Sequence, residues 1–297
     1  MEELRKDNNF DEIDKEIIGS CAINFFFGAG VNGDAFRMAK DFNKTLKILE
    51  NILGENVKLE EGFTKITSDE HYEEAKQCFI DEIKEVYNEY NINKSQSLSI
   101  KNIKELFEEV YKIVNLSENR CPRMKLVNIF TLNYDTVIED SLDELGYFYN
   151  QVSSTNYAKK RNVYDVVGYD IDCQKNMPTF LISHLHVDLN EPIIPGNKKY
   201  EASINADNFE IVYNTKRILC RPNSILFVIG YSGGDKHFNN IILDAINNGL
   251  TVYWLSFDGS VKEINNLFES KIFINRGDGE TDSTKILCGI MEKIWKK

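Results

Sequence analysis

Four short segments carry side chains suited to holding a phosphorylated ligand and moving a proton on it. Gly28-Ala29-Gly30-Val31-Asn32-Gly33 has G-x-G-x-x-G spacing. In that pattern the first glycine permits a tight turn and the second lets a pyrophosphate approach the backbone. The helix that follows offers its N–H groups. The bland alternative is a strand-to-helix turn that uses glycine. Thr131-Leu132-Asn133-Tyr134-Asp135 supplies an amide and a carboxylate two residues apart. Either could hold a polar ligand, and either could simply cap a helix starting near Thr136. His184-Leu185-His186 supplies two imidazoles, groups that exchange protons near neutrality. The pair alternates onto one strand face. His186 lies nearer the strand end and is the candidate base, leaving His184 a structural part. Gly230-Tyr231-Ser232-Gly233-Gly234-Asp235 presents a hydroxyl among glycines that allow close approach of a ligand. His237, at the start of the next helix, lines or caps the same rim, and His71 reads as a surface helix residue.

The elements needed to bring these segments together are legible as periodicity. Cys21–Phe27 is an almost unbroken apolar run, as a strand buried on both faces requires. Further strands are predicted over Leu126–Thr131, Thr179–Leu185, Ser224–Ile229 and Leu250–Leu255, with helices over Asp34–Leu53, Thr136–Leu145 and Phe238–Asn247. A Glu-, Lys- and Tyr-rich stretch from about residue 55 to 120 has helical spacing on both sides of a loop at Asn91–Ser99. It reads as a helical insertion within a single domain spanning 1–297. The stretch Asn150–Met177 fits neither pattern. Strands separated by helices predict an α/β fold with a Rossmann-like, doubly wound parallel sheet. Ligands bind such sheets beyond the carboxyl ends of the strands, where all four segments fall.

Composition narrows the classes. With 297 residues, 42 % hydrophobic and 28 % charged, the chain can bury a large core. A net charge of −12 argues against direct nucleic-acid binding. The N-terminus has no apolar signal segment, and no apolar run is long enough to span a bilayer, so a cytoplasmic protein without membrane contact is expected. The six cysteines, at 21, 78, 121, 173, 220 and 288, form no C-x-x-C pair, so no zinc ribbon or other metal site is expected.

Taken in order, the segments resemble sirtuins. Thr131–Asp135 resembles the family's T-x-N-x-D motif, Gly28-Ala29-Gly30 its G-A-G loop, and His186 its strand-end histidine. Gly230-Tyr231-Ser232 resembles its G-x-S motif, and Arg276-Gly277-Asp278 a late turn near the adenine. The resemblance extends to bacterial sirtuin-like proteins that deplete NAD in antiphage defence. It implies NAD as substrate, with Gly28, Ala29, Gly30, Asn32, Gly33, Thr131, Gly230, Ser232 and Asp278 around it. Asn133, Asp135 and His186 would be the catalytic groups. Asn32 stands where the family has serine, and Val187 where it has glycine. The missing zinc module argues against protein deacetylation but leaves cleavage of the nicotinamide–ribose bond intact. That cleavage passes through an oxocarbenium-like state and expels a cationic pyridinium, which needs no general acid. The resemblance also implies a regulated homo-oligomer, with or without a HerA-type ATPase partner. Competing readings are a non-catalytic NAD or ADP-ribose sensor, a scaffold subunit, and a dehydrogenase. The last lacks a well-placed second strand ending in an acid; Glu60 or Glu61 fits poorly.

Overall fold

A computed structural model describes residues 10–54, 56–66, 68–116, 120, 124–152, 179–186, 194, 196, 206–258, 264, 266–268 and 272–296. Among them seven strands form one all-parallel sheet: β1 (Ala22–Phe27), β2 (Val127–Thr131), β3 (Tyr149–Val152), β4 (Phe180–His184), β5 (Ser224–Ile229), β6 (Thr251–Ser256) and β7 (Phe273–Arg276). The spatial order is β3-β4-β2-β1-β5-β6-β7. Without the edge strand β3, this is the Rossmann order. The sheet is doubly wound, and its order reverses between β1 and β5, the place where such a sheet opens its crevice. The unassigned stretch of the sequence contributes β3 at its start, while residues 153–178 lie outside the described residues, as do Val187, Cys121 and Cys173.

The apolar run of β1 reflects two different layers. Ile23, Phe25 and Phe27 enter one core, while Phe26 enters the other. The first core is closed by α5 (Leu98–Leu116) and α9 (Ser283–Lys296). α5 buries Ile103, Leu106, Phe107, Val110, Ile113 and Val114, a stripe with helical spacing. The second core is closed by α7 (Ala206–Leu219) and α8 (Lys236–Asn247).

The segment between β1 and β2 is helical, with α2 (Asn43–Leu53), α3 (Leu59–Lys65) and α4 (Asp69–Asn93) preceding α5. The Phe107 ring lies 6.5 Å from Phe25, 6.3 Å from Phe27 and 5.3 Å from Phe180, so α5 is itself a layer of the sheet. A short helix, α1 (Lys15–Ser20), leads into β1. Between β2 and β3 stands α6 (Val137–Leu145), closed by Gly146 in the left-handed region at φ 67°.

The helix expected over Asp34–Leu53 starts only at Asn43. The glycine turn opens a single 3-10 turn, Ala29–Asn32, and Gly33 ends it at φ 47°. Asp34 then turns away to cap α5, accepting from Ser97 Oγ (2.7 Å), Ser99 N (3.0 Å) and Leu98 N (3.0 Å). The N-terminus of α2 is served instead by the buried carboxylate of Glu82 in α4, which accepts from Lys44 N and Thr45 N. Among the described residues no helix is long and apolar enough to cross a membrane.

Candidate functional site

The loops leaving β1 and β5 are packed backbone against backbone. Gly28 N–H donates to Ile229 O (3.0 Å) and Gly30 N–H to Gly230 O (2.9 Å). A Cβ on Gly28 would lie 2.5 Å from Gly230 O, and one on Gly230, at φ 66°, would lie 2.1 Å from Val31 N. The glycines therefore serve contact between the two loops. Two of the N–H groups expected to face a phosphate are used inside the protein, and no long helix starts behind them. Ala29, Gly30, Gly33 and Ser232 remain exposed along this rim.

Next to the rim lies a relay of buried amides. Asp135 accepts from Val137 N at 3.0 Å, serving the N-terminus of α6, and from Asn32 Nδ2 at 2.5 Å. Asn133 Nδ2 donates to Asn32 Oδ1 (3.2 Å) and to Gly28 O (3.3 Å). Asn133 N–H donates to Thr131 Oγ1 at 3.1 Å, and Asn133 O faces His184 Nδ1 at 3.2 Å. Every polar atom of Asn133 is thus held except Oδ1. That oxygen is buried and has no hydrogen-bond partner among the described residues. An unmet acceptor beside an exposed glycine rim is a place for a ligand hydroxyl or a water. Burial pushes the Asp135 carboxyl up to about 6, against the pull of its bonds from Val137 and Asn32.

The two histidines part where β4 ends, rather than sharing a face. The His184 ring turns to α6, with Nε2 2.6 Å from Glu139 Oε1. The His186 ring lies beyond the strand between Tyr134 and Phe238, at centroid distances of 6.5 and 5.7 Å. Its Nε2 is 3.3 Å from Asp235 Oδ2. Asp235 also caps α8 through His237 N (3.1 Å). Its loop is braced by Tyr231, whose hydroxyl accepts from Asp235 N (3.0 Å) and donates to Asn239 Oδ1 (2.8 Å). The β2 and β5 ends thus flank the glycine turn after β1: Asn133 after β2 is bonded to Gly28 and Asn32, while Asp235 after β5 meets His186 after β4.

Asp278 does not join them. It stands after β7, three strand positions from β1, and folds its carboxylate into its own turn onto Glu280 N (2.9 Å), Thr281 N (2.7 Å) and Thr281 Oγ1 (2.8 Å). Hydrogen bonds from Thr281 and Glu280 hold its carboxyl at about 2. Asp235 and Glu139 were not singled out as functional by sequence reasoning. The signal for Asp235 is its place as an N-cap directly after the glycine-rich turn; Glu139, inside α6, has no such signal. Among the described residues no group of three His, Cys, Asp or Glu side chains could hold a metal ion.

A family described as SIR2-like domain matches residues 127–275, half of the chain, running from β2 into β7. A solved structure described as "Structural Basis for the Mechanism and Regulation of Sir2 Enzymes" aligns over 95 % of this chain and 95 % of its own, with 10 % identity and a TM-score of 0.44. No curated protein matches the chain.

Proposed function

The chain belongs to the SIR2-like domain family, and on that premise we propose that it is an NAD glycohydrolase, releasing nicotinamide and ADP-ribose. The observation that carries this reading is the tethered Asn133, with its one unmet acceptor Oδ1 beside the rim. With both amide hydrogens drawn to Gly28 O and Asn32, the side chain can only accept. It meets the O–H of a ribose hydroxyl or of the attacking water. His186 takes the proton from that hydroxyl or water, and Asp235 stabilises the imidazolium that forms. Asp135 acts through Asn32, fixing the direction of the relay. The dinucleotide lies along the exposed Ala29, Gly30 and Gly33 and against the Ser232 hydroxyl. Asn133, Asp135 and His186 are only 5 %, 3 % and 4 % exposed, so these groups sit in a setting of low dielectric that strengthens their electrostatic interactions.

An unchecked NADase would exhaust its own cell. That logic, together with the sirtuin resemblance, supports a regulated cytoplasmic effector of antiphage defence that acts as a homo-oligomer or beside an ATPase partner.

The test is nicotinamide release from NAD by the wild type, Asn133→Ala and His186→Ala. We expect each variant to lose at least about a hundredfold in kcat, the scale of removing one preorganised polar group, with unchanged circular dichroism. A wild type that binds ADP-ribose but releases no nicotinamide in any assembly state would make it a sensor or scaffold and end the enzymatic reading.

A further inference from the structure

His184 has no place in the mechanism above, yet it is the most completely enclosed imidazole of the site, 1 % exposed. Its two ring nitrogens face two acceptors. Nδ1 is 3.2 Å from the carbonyl oxygen of Asn133, which can only accept, so Nδ1 must carry a hydrogen. Nε2 is 2.6 Å from Glu139 Oε1, and the proton between them is shared with a buried carboxylate. Ring tautomer and ring orientation are thereby both determined. Burial would discharge the ring, but Glu139, the Asn133 carbonyl and the nearby Asp135 outweigh it and raise its pKa. A buried carboxylate–imidazole pair is a costly device for stability alone, since two groups must be desolvated to make it. Here its outward end grips the backbone of Asn133, whose side-chain Oδ1 is an unmet acceptor beside the glycine rim.

We propose that His184 is a positioning residue: Glu139 fixes its ring so that Nδ1–H holds the Asn133 carbonyl, and the turn so held aims Asn133 Oδ1 at the ligand. The proposal rests on the reading of Asn133 as the residue that meets NAD. The arrangement is a string of supports, running from Glu139 on α6 through the β4 end to the turn after β2. It works from the opposite side to Asn32 and Gly28, which hold the amide end.

The experiment compares His184→Gln, His184→Asn and wild type by steady-state nicotinamide release, thermal melting and spectra of ¹⁵N-histidine-labelled protein. A glutamine amide stands where Nε2 does and leaves the Asn133 carbonyl without a donor. An asparagine amide stands where Nδ1 does and restores it. His184→Gln is expected to lower kcat about a hundredfold, as misplacement of a reacting group does, with KM for NAD changed less than about threefold. His184→Asn should recover most of that loss whatever its melting temperature. Equal kcat in the two variants, or wild-type kcat in His184→Gln, overturns the proposal. If the wild type itself releases no nicotinamide, the enzymatic reading fails while this inference is still decided by the spectrum. A slowly exchanging, hydrogen-bonded Nδ1 proton on His184 supports it, and its absence sinks it.

Discussion

Asp135 is a carboxylate set in surroundings that disfavour its charge. It titrates at about 6 instead of 3.8, chiefly because it is buried, with Glu139 adding repulsion. A carboxyl whose pKa is raised by folding favours the fold when protonated, so its burden on stability is absent below about pH 4, grows between about 4 and 6, and is complete above that. Asp135→Asn removes the burden and keeps an oxygen for Val137 N, but turns an amide toward the Asn32 amide nitrogen. Near neutral pH we expect its melting temperature to equal or exceed that of the wild type, while nicotinamide release falls at least about tenfold, the scale of one misdirected hydrogen bond. A variant that melts lower and turns over normally would make Asp135 a plain helix cap. At this scale the sequence shows which groups are capable of chemistry, such as Asn133 and His186. It hides which groups hold them. Asn32 meets Asp135 across 103 residues and His184 meets Glu139 across 45, and no local spacing reports such pairs.

Among the elements, strands were the most legible, because a strand buried on both faces must be apolar throughout; all the predicted strands lie within a residue of those observed. The error lay after the glycine turn, where helix-forming residues from Asp34 onward are diverted by a tertiary cap. Asp34 gives its carboxylate to the start of α5, and Ser99 Oγ returns a bond from Asp34 N at 3.2 Å. Burial opposes ionisation of Asp34, but the bonds from Ser97, Ser99 and Leu98 together hold it at about 2. A depressed carboxyl contributes stability above its unfolded pKa of about 4 and loses it as the pH falls toward 2. The gap in urea midpoint between wild type and Asp34→Ala should therefore be widest near neutrality and narrow from about pH 4 downward. A gap of constant width across that range would show that the carboxylate charge has no part in the clamp.

For the molecule as a whole, we take 1–297 as one domain despite the long helical segment between β1 and β2. Phe107 in that segment packs against β1 and β4 from within the main core. Phe107→Ala should cost about 3–5 kcal/mol, as large aromatic truncations in cores do, and should lower a single calorimetric transition in one piece. Two resolved transitions, only one of them shifted, would instead separate the helical segment as its own unit.

The central position of β1 also has a consequence for how the chain is made. Its register partners are Asn128 on one side, paired with Asn24, and Leu226 on the other. The ribosome therefore delivers the middle of the sheet first and its second neighbour some 200 residues afterwards, roughly 10–40 s later at typical synthesis rates. During that wait α5 can shelter Phe25 and Phe27, but Phe26, whose layer is built from later strands and helices, has no such early cover. A nascent chain of this design is most exposed to chaperones and to aggregation on one side of one strand, until β5 emerges.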